Sequence, residues 1–232
     1  MEQHFVSVDA GKCVGCGACA AVCVAHNIAI RDQKAHIILK KCVLCGQCTA
    51  VCPVQAISMG CGGDGQIVEK NGDLRLQPDA VLEVIRFRRT VRRFKRDPIP
   101  KETVAQILEA GRLTHTAKNM QDVSFIVLEQ QKDRMEQMAV RLFRTIKPLA
   151  NLLSPMARNN KIDDTFFFHS APIAIVILAK NKTNGILAAQ NMEFVAEAHG
   201  LGVLYSGYFT TAVNASHKIK KELRIPKGKR AA

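Results

Sequence analysis

The chain has 232 residues, 47% of them hydrophobic, with 33 lysines and arginines against 20 aspartates and glutamates and a formal net charge of +13; that is room for a small module and one domain with a real core. Its longest apolar run, residues 171–179, is far shorter than the roughly 20 residues of a membrane-spanning helix. With no tryptophan and two tyrosines, the basic excess also lacks the aromatic interleaving of a nucleic-acid face, so an anionic cofactor or small substrate is at least as good a partner for it.

In chain order, short alternating strands are expected at residues 5–8, 28–30, 36–39 and 56–59. Between them lie two cysteine runs of identical spacing, C-x2-C-x2-C-x3-C: Cys13, Cys16, Cys19 and Cys23, then Cys42, Cys45, Cys48 and Cys52. Each cysteine of the first run recurs 29 positions later, so the two halves are copies of one unit. Three thiolates in a C-x2-C-x2-C loop wrap one face of a 4Fe-4S cubane, and the fourth cysteine, leaving on a short helix, turns to the other cluster. The expected ligand sets are Cys13, Cys16, Cys19 with Cys52, and Cys42, Cys45, Cys48 with Cys23. Zinc would leave a third cysteine in each run unexplained. A disulfide scaffold needs an oxidising compartment and usually a leader, which Met1-Glu2-Gln3-His4 does not begin; a cytoplasmic chain is the expectation, and reduced thiols suit that compartment. Cys61 reads as an unligated thiol in a linker.

These residues resemble the bacterial two-cluster ferredoxin module, over about the first quarter of the chain. The resemblance departs at Val24, which stands where the second run has Pro53. The domains expected are a two-cluster ferredoxin-like module at 1–62, a glycine-broken linker at 63–78 and a second domain from 79 to 232.

In the second domain Pro78-Asp79 opens a helix with Val81, Leu82 and Ile85 on one face, and Pro100-Lys101-Glu102 opens another that ends near Gly111. Residues 124–128 read as a strand, and Met135, Met138, Ala139, Leu142, Phe143 and Ile146 as a core-facing helical stripe up to Pro148. The β-branched run 173–178 fits a strand buried on both faces. Asn184 is expected to cap a helix reaching about His199, stopped by Gly200. Its apolar outward positions suit a helix at a subunit interface. The fold class is α+β.

The sharpest chemical signal is the stretch 86–96, with seven basic residues in eleven and no acid. Phe87, Val91 and Phe94 interleave with the charges, and the guanidinium forks flank the Thr90 hydroxyl, a set that suits a phosphate monoester. A polar loop at 114–121 and a glycine-bearing segment at 200–208 follow. Their order and spacing are similar to the nitroreductase family of FMN-dependent oxidoreductases, from about Asp79 to the end.

That resemblance implies that Arg88, Arg89, Thr90 and Arg92 hold the FMN phosphate and ribityl side. It implies that Thr116, Lys118, Asn119 and Gln121 line the flavin, Asn119 facing the pyrimidine, and that Gly207 and Tyr208 come near the reactive nitrogen. His115 replaces a usual proline, and Gly207 stands where some members carry glutamate. His115 and His169 are the histidines to watch, but no Ser/His/Asp set or H-E-x-x-H occurs and no catalytic side chain is assigned.

The implied activity is reduction of a small organic acceptor, with NAD(P)H or electrons arriving through the clusters as the source, in a homodimer. The alternative is an electron-transfer protein exchanging electrons with a redox protein partner; nucleic-acid binding is a weaker third. The resemblance also implies a further strand and a C-terminal arm after Ile225-Pro226. The sequence stops at Lys229-Arg230-Ala231-Ala232, before that strand is expected to form, and so reads as truncated, with weakened dimerisation and FMN retention.

Overall fold

The computed structural model describes residues 5–38, 42–60, 72, 74–153 and 155–232. The chain divides into two compact units, one of residues 1–75 with 117–120 and one of residues 76–116 with 121–232. Cys61 and most of the expected linker lie outside the described residues.

The first unit is a pair of two-stranded sheets. Strand β1 (Phe5–Val8) pairs antiparallel with β4 (Ile57–Gly60), and β2 (Ile28–Arg31) with β3 (Lys34–Ile37). The β2–β3 turn is tight because Asp32 and Gln33 both take positive φ, the backbone that matches the twist of a two-residue hairpin. One-turn helices α1 (Ala18–Ala21) and α2 (Gln47–Ala50) follow the two cysteine loops, each entered through a left-handed glycine, Gly17 and Gly46. Cys13, Cys19, Ile28, Ala35, Ala56 and Ile57 form the buried centre. Cys13 and Cys19 are thus part of the core itself.

The second unit has three layers. Its sheet runs β5 (Ser124–Leu128), β6 (Ala174–Ala179), β7 (Arg230–Ala231), all antiparallel. Alternation along the strands sorts the core in two. Ile126, Leu128, Val176 and Leu178 face α5 (Lys132–Leu153), α8 (Gly207–Ala215) and α9 (His217–Glu222), while Phe125, Ile175 and Ile177 face α4 (Lys101–Leu113) and α7 (Lys182–Ala198). At the α4–α7 crossing Gly111 is needed for space, since a Cβ there would press on the Phe125 ring and the Met192 sulfur. Helix α3 (Pro78–Phe87) starts at the proline as expected, and α6 (Pro155–Asn159) follows α5. Among the described residues no helix is long and apolar enough to cross a membrane.

Three expectations are corrected. Helix α5 does not stop at Pro148 but carries it inside and runs to Leu153; Lys147 Nζ donates to the Ala157 and Asn160 carbonyls and Arg158 Nε to the Asn151 carbonyl, which ties the last turn to α6 and outweighs one missing backbone bond. The cap of α7 is Asn181, whose side chain accepts from Thr183 N–H. Asn184 is instead fully buried one turn in, donating to Asp122 Oδ1 at 2.7 Å. Finally, the chain does form a strand after Ile225-Pro226: Arg230 and Ala231 pair with Ala179 and Leu178, and Ala232 N–H donates to the Ile177 carbonyl.

Candidate functional site

The first unit holds two hollows. One is lined by Cys13, Cys16, Cys19 and Cys52, the other by Cys23, Cys42, Cys45 and Cys48. Each therefore takes three cysteines from one run and the fourth from the other, the crossing expected from the spacing. Backbone amides point at the sulfurs in matching places: Asn27 N–H donates to Cys23 Sγ at 3.3 Å and Ala56 N–H to Cys52 Sγ at 3.2 Å. Ala35 N–H reaches Cys13 Sγ and Leu44 N–H reaches Cys42 Sγ. Such donors offset the charge that thiolates bring to a cluster. The Ala35 and Gly15 amides hold the Cys13 thiol below its ordinary pKa, while burial pushes Cys19 and Cys48 up. Among the described residues no three His, Cys, Asp or Glu side chains converge on one point. Thiolates around a cubane surround a body of several atoms rather than a point, so the quartets fit a cluster.

The two loops share a left-handed position that different residues fill. Gly15 sits at φ +68, where a Cβ would collide with the Gln33 carbonyl. Its counterpart is Leu44, at φ +55, a conformation that costs a residue with a side chain about 1–2 kcal/mol.

The second unit holds a cleft of about 620 Å³, in the range of small-molecule and cofactor sites. After α3 ends at Phe87 the chain runs on without helix through residues 88–100, and Val91 N–H donates to the Val203 carbonyl at 3.0 Å. This bond joins the basic stretch to the glycine-bearing segment, and both line the cleft. The wall carries two cations, Arg93 and Lys95, and two acids, Asp97 and Glu193; the apolar lining includes Phe167, Phe168, Ile175 and Met192, and Tyr205 and Ser206 supply hydroxyls.

The expected flavin residues are placed unevenly. Arg88 is an internal brace: its Nη1 pairs with Glu193 Oε2, its Nη2 reaches Gln190 Oε1 and its guanidinium lies 5.5 Å from the Phe194 ring centroid. Gln190 Nε2 and Tyr205 O–H also donate to that Glu193 oxygen. Burial, then the Glu193 carboxylate, push the Tyr205 phenol above its ordinary range. Arg89, Thr90 and Arg92 are exposed, Arg89 Nη1 donating to the Arg86 and Arg88 carbonyls. Gly207 and Tyr208 begin α8, with the Tyr208 ring against Phe166 and Phe143 and its hydroxyl accepting from Asn160.

The 114–121 loop is split between the units: Thr116, whose Oγ1 accepts from Gln121 N–H, belongs with the second, while Lys118 and Asn119 belong with the first. There Asn119 Nδ2 donates to the Val43 and Leu44 carbonyls at 2.9 and 3.0 Å. His115 is exposed, and His169 takes a left-handed φ in a turn, its amide bonded to the Thr165 carbonyl. Sequence reasoning missed Arg93, Lys95, Glu193 and Tyr205 as cleft residues. No periodic signal picks them out: Arg93, Phe94 and Lys95 line the cleft in succession, and Glu193 and Tyr205 reach it from elsewhere in the chain.

Crossed cysteine quartets in one unit and a cofactor-sized cleft in an α+β unit point to an iron–sulfur oxidoreductase. Residues 12–56 match the 4Fe-4S dicluster domain, and residues 85–232 match the nitroreductase family. The chain belongs to the nitroreductase family, with a dicluster ferredoxin-type module at its N-terminal end. Among solved structures it is similar to an FMN-dependent nitroreductase from Clostridium difficile R20291, at 18% identity over 67% of this chain and 88% of that one, TM-score 0.51. It is likewise similar to nitroreductases with bound FMN from Bacteroides fragilis NCTC 9343 and Desulfitobacterium hafniense DCB-2, each at 20% identity over 65% of this chain and 83% of the other, TM-score 0.54. These likenesses establish the fold. No curated protein matches the chain.

Proposed function

We propose that the protein is an FMN-dependent oxidoreductase that passes electrons between its two 4Fe-4S clusters and a small organic acceptor such as a nitroaromatic, a quinone or an activated alkene. The observation that carries this reading is the pair of crossed cysteine quartets in a nitroreductase-family chain. FMN, when bound, supplies a carrier that accepts electrons singly or in pairs, which is what joins one-electron clusters to a two-electron reduction. A hydride donor such as NAD(P)H needs no relay, so the presence of clusters favours a one-electron protein donor.

The chain's own residues divide the work. Cys13, Cys16, Cys19 and Cys52 hold one cluster, and Cys23, Cys42, Cys45 and Cys48 the other. Arg89, Thr90 and Arg92, exposed and adjacent, offer charge and a hydroxyl to the FMN phosphate, with Arg93 and Lys95 adding positive potential on the cleft wall. Arg88 holds the stretch in place through Glu193. The apolar cleft wall excludes water from a planar ring. A homodimer fits the exposed apolar side chains of α3, among them Leu82, Ile85 and Phe87.

The test is the absorption spectrum and the iron and flavin content of anaerobically purified protein, before and after dithionite. The reading expects bleaching of cluster and flavin bands together, and electron delivery to a nitroaromatic from reduced ferredoxin. Protein with no bound flavin after reconstitution, or flavin that reduced clusters do not reduce, overturns it.

A further inference from the structure

The two cysteine loops share a left-handed backbone position that they fill with different residues, and the difference has a partner. In the first loop Gly15 takes its left-handed φ with no side chain to object. In the second, Leu44 takes nearly the same φ, and its N–H is the one aimed at Cys42 Sγ, at 3.3 Å. Were Leu44 to relax to negative φ, the peptide between Val43 and Leu44 would rotate and that N–H would leave the sulfur. What opposes the relaxation is Asn119, whose amide donates to the carbonyls on both sides of Leu44's Cα–N unit, Val43 at 2.9 Å and Leu44 at 3.0 Å. Among the described residues no copy of this device serves the first loop, which is tied instead by Lys34 Nζ to the Cys13 carbonyl. The backbone around Asn119 suits the role, for Lys118 and Asn119 both take left-handed φ, and asparagine tolerates that region better than most residues.

We propose that Asn119 is a positioning residue for the cluster held by Cys23, Cys42, Cys45 and Cys48: its amide clamps the Val43 and Leu44 carbonyls and so keeps the Leu44 N–H on the Cys42 sulfur. This rests on the cluster assignment above. An N–H donor on a ligand sulfur stabilises the more negative, reduced cluster, so losing it lowers the reduction potential.

The experiment uses the full chain, purified anaerobically, with iron and sulfide analysis and an EPR-monitored redox titration; the second-run cluster is the signal that Cys45→Ala removes. In Asn119→Ala that cluster shifts to more negative potential or is lost, iron falling to about half, while the first-run cluster keeps its potential and serves as the internal measure of folding. Leu44→Gly alone changes little, and Leu44→Gly with Asn119→Ala recovers most of the occupancy and potential, because glycine needs no clamp. Unchanged clusters in Asn119→Ala, a loss shared equally by both clusters, or a double variant no better than the single one overturns the clamp. Wild-type protein that holds no clusters after reconstitution overturns the cluster assignment instead.

Discussion

Arg88 separates the geometry from the family resemblance, because the two give it different work. Its ion pair with Glu193 is largely shielded, the side chains being 24% and 9% exposed. Removing one partner of a buried pair costs about 3–5 kcal/mol. Here Gln190 and Tyr205 still donate to Glu193, and the partly exposed arginine site admits water, which leaves about 2 kcal/mol. Loss of the guanidinium over Phe194 adds about 0.5 kcal/mol. Arg88→Ala is therefore expected to destabilise the second unit by about 2–3 kcal/mol, a fall of about 1–2 M in the urea midpoint at ordinary slopes. Circular dichroism of the flavin-free protein reads it, and Glu193→Gln, which keeps a hydrogen-bonding side chain in place, should cost less. An unmoved midpoint together with a tenfold or larger loss of FMN affinity would refute the reasoning and make Arg88 a phosphate ligand.

Arg92→Ala should do the reverse, weakening FMN binding about tenfold or more through one lost charge-assisted contact of about 1.5–3 kcal/mol, with the midpoint unmoved; equal FMN affinity in isothermal titration would remove Arg92 from the site. Cys23→Ala should cost the cluster held by Cys42, Cys45 and Cys48 and spare its neighbour, which iron content and EPR decide. Asp122 supplies a pH dependence. Burial raises its pKa, but Asn181 N–H, the Asn184 amide and Lys180 N–H together outweigh that and leave it lowered. A lowered folded value means stability that is present above the unfolded pKa of about 3.9 and lost as pH falls through the folded value. Asp122→Asn should flatten that acid limb of the stability profile, and a profile still parallel to wild type would count against the assignment.

The cluster quartets were legible in the sequence because their geometry is local: spacing shapes each loop, and only the crossing of the fourth cysteine needs the fold, which the repeat already implied. The strands at 124–128 and 173–178 were legible from short apolar runs rich in isoleucine and valine. Asn119 was not, since its partners are the carbonyls of Val43 and Leu44, more than seventy positions away, and nothing in a polar loop names the backbone it will meet. The cap of α7 failed on a choice between two asparagines. Asn181 and Asn184 both suit a helix start, and buried Asp122, which needs Asn184 as a donor inside the helix, decides between them.

The sorting of the sheet into two cores bears on how this chain tolerates insertions and deletions. Because Val176 and Leu178 face one helical layer and Ile175 and Ile177 the other, a slip of one residue in β6 exchanges both sets at once. Substituting any one of these for another aliphatic residue asks the core only to repack. Deleting one residue asks more, since α7 starts three residues after β6 and would arrive turned by about 100° around its axis. Glu193 would then swing away from Arg88, and the stretch that walls the cleft would lose its brace. Gaps in β6 should therefore be far rarer among functional variants of this chain than changes of side chain.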